Sequence, residues 1–131
     1  MTTTDFDYKI IQGEKIPVIP VKLSRMGKAI VTDALIDSGS AFSVIYSDIG
    51  TQLGLPLRGE TITITGAGGK ETILYTHSLD AEIADKQFVF KFGLPARRSD
   101  TPFTILGRDS IFENFEVKFR QKESKFTLSD Y

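Results

Sequence analysis

Asp37 stands at the end of an apolar run, in Ala34-Leu35-Ile36-Asp37-Ser38-Gly39-Ser40. A lone carboxylate is costly to bury, so this one must exit to solvent, find a partner or hold a proton. The residues after it suit such a site. Gly39 removes the side chain that would block close approach, and its backbone N–H is placed to steady the carboxylate. Ser38 offers a hydroxyl that can donate sideways. Taken alone, Asp-Ser-Gly is a common turn tripeptide, so its meaning depends on what accompanies it.

About seventy residues on, Phe103-Thr104-Ile105-Leu106-Gly107-Arg108-Asp109 repeats the theme of an apolar strand meeting a glycine and then charge. By local rules this is a strand-to-helix junction, with Gly107 allowing tight packing and Asp109 or Ser110 as N-cap. Between the two motifs lies Gly66-Ala67-Gly68-Gly69, which reads as a hairpin tip. It is not a phosphate loop: Lys70-Glu71-Thr72 lacks the glycine spacing and the Lys-Ser/Thr pair, and no helix follows.

The elements that must position these motifs are mostly strands. Lys15–Leu23 alternates with period two, with Ile16, Val18 and Pro20 on one side, and its two prolines suggest an edge. Met26-Gly27-Lys28 is a turn into a second strand over Ala29–Ile36. Ser43–Leu53 suits a short irregular helix closed by Gly54 and Pro56. Glu60–Thr65 and Glu71–Thr76 form a hairpin around the glycine tip. Leu79–Ala84 and Gln87–Phe92 form another, turning at Asp85-Lys86. Pro95–Pro102 is a polar loop and Phe103–Leu106 a short strand. Ser110–Phe115 suits one or two helical turns, with Ser110-x-x-Glu113 as a capping box. Glu116–Phe119 and Lys125–Leu128 make a last hairpin. The total is mostly β with one short C-terminal helix. Residues 1–10 are expected to be flexible and 11–131 to form one domain.

Bulk properties narrow the classes. The chain has 131 residues, 40% of them hydrophobic, and a formal net charge of −1. That suits one domain with a core of its own and gives no electrostatic reason to expect nucleic acid or an anionic membrane as partner. There is no cysteine and one histidine, so thiolate chemistry and disulfides are excluded and a metal cluster has little to draw on. The opening MTTTDFDYKI lacks a basic stretch followed by an apolar one, and no window approaches the ~18 apolar residues of a membrane span. The simplest expectation is a soluble cytoplasmic protein, or a piece of a longer precursor. His77 reads as a surface or structural histidine, since no Gly-x-Ser-x-Gly elbow accompanies it. Arg97-Arg98 reads as a solvated loop. Phe112, Phe115, Phe119 and Phe126 suit core or interface packing, and Phe42 and Tyr46 suit either core packing or a pocket wall.

LIDSGS, TGAGG and ILGRD, in this order, resemble the retropepsins, the retroviral-type aspartic proteases and their cellular and bacterial relatives. The likeness runs from about Ile16 to Leu128, and FENFEVKFRQKESKFTL looks closer to the bacterial and cellular members. The resemblance implies a closed retropepsin-like (acid protease) barrel with a flap hairpin. It implies Asp37 as the catalytic aspartate, Ser38 as the hydroxyl linking two active-site loops across a dimer, and Gly39 and Ser40 as loop support. Gly66, Ala67, Gly68 and Gly69 match the flap tip over substrate. Leu106, Gly107 and Arg108 match the strand beneath the loop. Two positions depart from the viral pattern. Ala41 stands where viral enzymes carry an aspartate that pairs with the Gly-Arg arginine, and Ala67 stands where a larger apolar residue is common.

One such motif in a chain of this length implies a homodimer, in which two Asp37 carboxylates share a proton and activate one water. The implied activity is an aspartic endopeptidase acting on an extended peptide or protein substrate, with no cofactor and no metal. The alternative is a non-catalytic dimerisation or peptide-binding domain on the same fold. A third is a protease silent until a precursor is cut or a partner arrives. For the dimer contact the Glu116–Leu128 hairpin is favoured over the terminal strands, because Val117, Phe119, Phe126 and Leu128 need cover.

Overall fold

The computed structural model describes residues 2–66, 68–98 and 103–131. In chain order they form β1 Thr3–Asp7, β2 Lys9–Ile11, β3 Glu14–Ile16, β4 Val18–Arg25, β5 Lys28–Ile36, α1 Ser47–Gln52, β6 Thr61–Thr65, β7 Glu71–Ile83, β8 Lys86–Pro95, β9 Thr104–Leu106, α2 Ile111–Asn114, β10 Phe115–Arg120 and β11 Lys125–Asp130. The main sheet runs β6-β7-β4-β5-β9, with β8 also paired to β7. Every neighbouring pair is antiparallel except β5 with β9.

Period-two alternation explains which faces turn inward. Ile19, Val21 and Leu23 of β4, Leu79, Ala81 and Ile83 of β7, and Phe90, Phe92 and Leu94 of β8 are all buried in one core. Leu106, Ile111, Phe115, Phe126 and Leu128 complete it from the C-terminal half. The prolines do not put β4 at an edge. It lies between β5 and β7, but β7 pairs with it only at Lys22–Ser24. Pro17 and Pro20 precede that pairing, so neither removes a donor from the second ladder.

Two expected strands, Glu71–Thr76 and Leu79–Ala84, are one thirteen-residue strand, β7. Its hairpin to β8 turns at Ala84-Asp85, both with positive φ (49° and 64°), the geometry that matches the twist of the flanking strands. The expected helix over Ser43–Leu53 is confined to α1, because Val44 is held in bridges to Gly93 and Ile105. Among the described residues there are thus two short α-helices, α1 as well as the C-terminal α2.

Thr3–Asp7, expected from their polar composition to fray, form a strand. β1 pairs with β11 from Thr3↔Ser129 to Asp7↔Lys125, and β11 pairs in turn with β10. Phe6 anchors this sheet by stacking on Phe126 with ring centroids 5.3 Å apart. The Asp5 carboxyl is held below its usual range by a hydrogen bond from Thr127 and by Arg120. Phe126 and Leu128 are thus covered within the chain, and among the four hairpin residues only Phe119 is exposed, with Val117 half-buried.

Candidate active site

β9 is threaded between two pieces of one segment. On one side it lies parallel to β5, Leu35 opposite Ile105. The chain leaves β5, arches over the end of β9 and returns on its other side. There Val44 and Ile105 exchange backbone hydrogen bonds of 3.0 and 2.8 Å. The arch is Asp37–Ser43, so both motifs meet at one place because each ends a strand of this threaded pair.

The arch is fixed bond by bond. The Asp37 N–H donates to the Leu106 carbonyl at 3.0 Å, the Ser40 N–H to the Asp37 carbonyl at 3.2 Å, and the Arg108 N–H to the Ser40 carbonyl at 2.8 Å. The Ser40 hydroxyl donates to the Phe42 carbonyl at 2.6 Å. The Gly39 N–H donates to Asp37 Oδ1 at 2.9 Å, the steadying contact anticipated for this position. Gly107 passes directly beneath the arch: a Cβ there would lie 2.4 Å from the Phe42 carbonyl oxygen and 2.8 Å from that of Ser40. Glycine is required by backbone crowding, not by an unusual φ.

Ser43 is the buried hub below. Its hydroxyl donates to Asp109 Oδ1 at 2.7 Å and accepts from the Gly107 N–H at 2.9 Å. The Ser110 hydroxyl lies 2.6 Å away. One donor and two acceptor sites of a hydroxyl are then in use. Burial pushes the Asp109 carboxyl above its usual range, and the hydrogen bonds from Ser43 pull the other way. This network corrects the capping-box expectation: Ser110 makes no side-chain cap to α2, because its hydroxyl faces Ser43 and the Gly107 carbonyl. A buried hydroxyl must satisfy itself where partners lie, and here they lie under the arch.

Arg108, lacking a carboxylate at Ala41, reaches the backbone instead. Its Nη1 donates to the Ser38 carbonyl at 2.8 Å, so it still ties the β9 junction to the arch. Ser38 and Gly39 are exposed at the crown, and Asp37 is half-buried. Leu106 is fully buried below them.

Asp37 and Ser40 line a cleft of about 640 Å³ whose walls include Ile64, Thr72 and Ile73 of the β6–β7 hairpin. The tip of that hairpin is lightly tied. Gly66 N–H donates to the Lys70 carbonyl at 2.9 Å and Gly69 N–H to that of Gly66 at 3.0 Å. Gly68 and Gly69 have φ of 108° and 81°. Ala67 lies outside the described residues, as do Ser99–Pro102 of the expected polar loop.

Arg97 and Arg98, read from sequence as a solvated loop, belong to the cleft wall with Lys70. Nothing local signals this; it follows from β8 running on to Pro95 alongside β7. Ser43 was equally hidden, since one serine in a run of apolar residues acquires its role only when Gly107 and Asp109 arrive. His77 has a structural contact, its Nε2 lying 2.8 Å from the Pro56 carbonyl. Tyr46 packs against the core and donates to Asp48 at 2.9 Å. Phe42 lines a neighbouring cavity of about 630 Å³ beside Ile62 and Phe92. No group of three or more potential metal-ligating side chains occurs among the described residues, and none of their helices is long and apolar enough to cross a membrane.

A family model described as aspartyl protease matches residues 19–110, which span the arch, the hairpin and the β9 junction. Among solved structures, a retropepsin-like aspartic protease from Rickettsia conorii superposes with a TM-score of 0.71 at 14% identity, covering 97% of this chain and 91% of that one. The EIAV protease complexed with the inhibitor HBY-793 superposes with a TM-score of 0.58 at 22% identity, covering 79% of this chain and 91% of that one. The fold is thus mostly β and retropepsin-like. No curated protein sequence matches the chain.

Proposed function

This chain belongs to the aspartyl protease family, and we propose that it is an aspartic endopeptidase whose active site forms from the Asp37 loops of two copies. The observation that carries this reading is the placement of Asp37. Its carboxylate is held by the Gly39 N–H at 2.9 Å and opens on the cleft beneath the glycine-tipped hairpin.

Activating one water against a peptide carbonyl takes one carboxylate to remove a proton and a second, protonated, to donate to the carbonyl oxygen. The chain has one Asp-Ser-Gly arch, so a two-fold axis brings in the second. Two carboxylates about 3 Å apart do not both ionise cheaply; they share one proton and titrate as a pair. The ionised member takes a proton as water attacks, the protonated member donates to the developing oxyanion, and the pair then protonates the leaving amine. No metal or organic cofactor enters these steps. The exposed Ser38 hydroxyls at the crown are placed to brace the two arches against each other. The β6–β7 hairpin closes over an extended peptide and grips it by strand-like hydrogen bonds. For the contact between copies, burial of Phe126 and Leu128 within the chain leaves the β10–β11 hairpin a smaller apolar face than its sequence promised.

Peptide cleavage should be followed from mildly acidic to neutral pH for the parent and for Asp37→Ala, with a statine-type inhibitor as control. Loss of at least about 10³-fold in kcat/KM is expected for the variant. Cleavage that survives the substitution removes Asp37 from the mechanism. Sedimentation should find the active species dimeric; a strictly monomeric species that cleaves contradicts the shared site.

A further inference from the structure

We propose that Arg97, with Lys70 from the hairpin, makes the cleft select substrates carrying an acidic side chain close to the bond that is cut; this rests on the proteolytic reading. Among the described residues, three cations line the cleft: Lys70, Arg97 and Arg98. Arg98 is engaged, its Nη2 lying 3.2 Å from Asp48 Oδ2, and its guanidinium is held in the charged form by Tyr46 and Asp48. Arg97 and Lys70 are exposed and have no ion pair or side-chain hydrogen bond among the described residues. Among the described residues, the carboxylates on the same lining are Asp37, committed to the water, and Glu71. Two unpaired cations therefore outweigh Glu71.

Position and surroundings single out Arg97. The residue before it is pinned, the Ala96 N–H donating to the Ile73 carbonyl at 3.1 Å, so the guanidinium starts from an anchored backbone. Ile64, Ile73, Pro95 and Ile105 line the cleft beside it, and an apolar wall strengthens any charge pair formed against it. A guanidinium presents a planar fork that a carboxylate meets with two parallel hydrogen bonds. In a two-fold dimer Arg97 occurs twice, once for each side of the scissile bond. Peptides with an acidic residue on both sides should then be the best substrates.

The test uses one peptide sequence with Glu or its uncharged isostere Gln at each position near the cut. Binding of fluorescent peptides to Asp37→Asn protein is read by anisotropy, and kcat/KM is read on the active protein. Glu should exceed Gln by about fivefold at the best position, the upper end for a solvent-accessible ion pair. The ratio should fall towards one in Arg97→Gln, invert in Arg97→Glu, rise in Glu71→Gln, and shrink in high salt. Equal binding of Glu and Gln peptides, or a preference that survives Arg97→Gln, overturns the assignment. Parent protein that cleaves without a Glu preference refutes the selectivity and leaves the protease reading standing. Parent protein that cleaves nothing yet binds with the preference refutes hydrolysis and leaves Arg97 its role. Failure to bind any peptide overturns both.

Discussion

The Asp37 arch and the β6–β7 hairpin proposed as its lid, two walls of one cleft, are built on opposite principles. The Asp37 arch is over-determined: backbone bonds to Leu106 and Arg108, the Arg108 side chain on Ser38, and the Ser43 hub below. Gly107 sits so close to it that no β-carbon fits. The tip of the β6–β7 hairpin has open space around Gly68 and, among the described residues, two short-range backbone bonds. The contrast suits the proposed mechanism, in which the carboxylate must not move and the cover must. Low local stability is the normal property of lids, and redundancy of bonding the normal property of a preorganised site.

The sharpest way to break the contrast is at its crowded end. Gly107→Ala drives a methyl group into two carbonyls, so it should cost about 3 kcal/mol, at the top of the range for overpacking. Activity should also fall, because the arch can relieve the clash only by shifting Ser40 and Phe42. Urea denaturation and peptide cleavage check this together. A variant as stable as its parent would mean that the arch is not clamped to β9.

At the open end, Gly68→Ala meets no atom within 4 Å and suffers only from its φ of 108°. The local cost should be about 1 kcal/mol. On the proposed reading, in which the tip opens independently of the core, the melting temperature should fall by no more than a few degrees while KM for peptide rises. A loss of stability matching that of Gly107→Ala would show that lid and arch are one cooperative unit.

The smallest effect concerns the Ser43 hub and pH. The pKa of the Asp109 carboxyl is raised above the ordinary carboxylate range, chiefly by burial. A carboxyl with a raised folded-state pKa binds its proton more tightly when folded. It therefore contributes stability that is fully present below the unfolded pKa and is lost as pH rises through the folded one. Asp109→Asn keeps an acceptor for the Ser43 hydroxyl and removes the titration. The melting temperature of the variant relative to the parent should accordingly rise between pH 3 and pH 7. A difference that stays flat over this window would show that the hub favours neither form of the carboxyl, and one that falls would show that it prefers the ionised group.

Local rules carried much of the layout. Strict alternation located β6, an apolar run stopped by glycine located β9, and two short segments across a charged turn located the β10–β11 hairpin, each to within a residue or two. The two motifs stood out because each ends an apolar strand in glycine and charge. The misses arose where partners lie far away in sequence. Pro17 and Pro20 read as edge signals until the short β4–β7 pairing explained them. Thr3–Asp7 read as frayed until β11 supplied an edge and Phe126 a ring for Phe6.

The Asp37 and Gly107 motifs, the glycine tip and most of the strands were settled by residue type and spacing, because backbone preferences and hydrophobic alternation are properties of short segments. Which residues surround Asp37 was settled by packing. Ser43 found Asp109 at 2.7 Å across 66 positions of chain, and Arg108 found the Ser38 carbonyl across 70. Arg97 joined the cleft wall only because β8 runs beside β7 to its end. Hydrogen bonds and charges act over a few ångströms of space, and only the folded chain decides which atoms come that close.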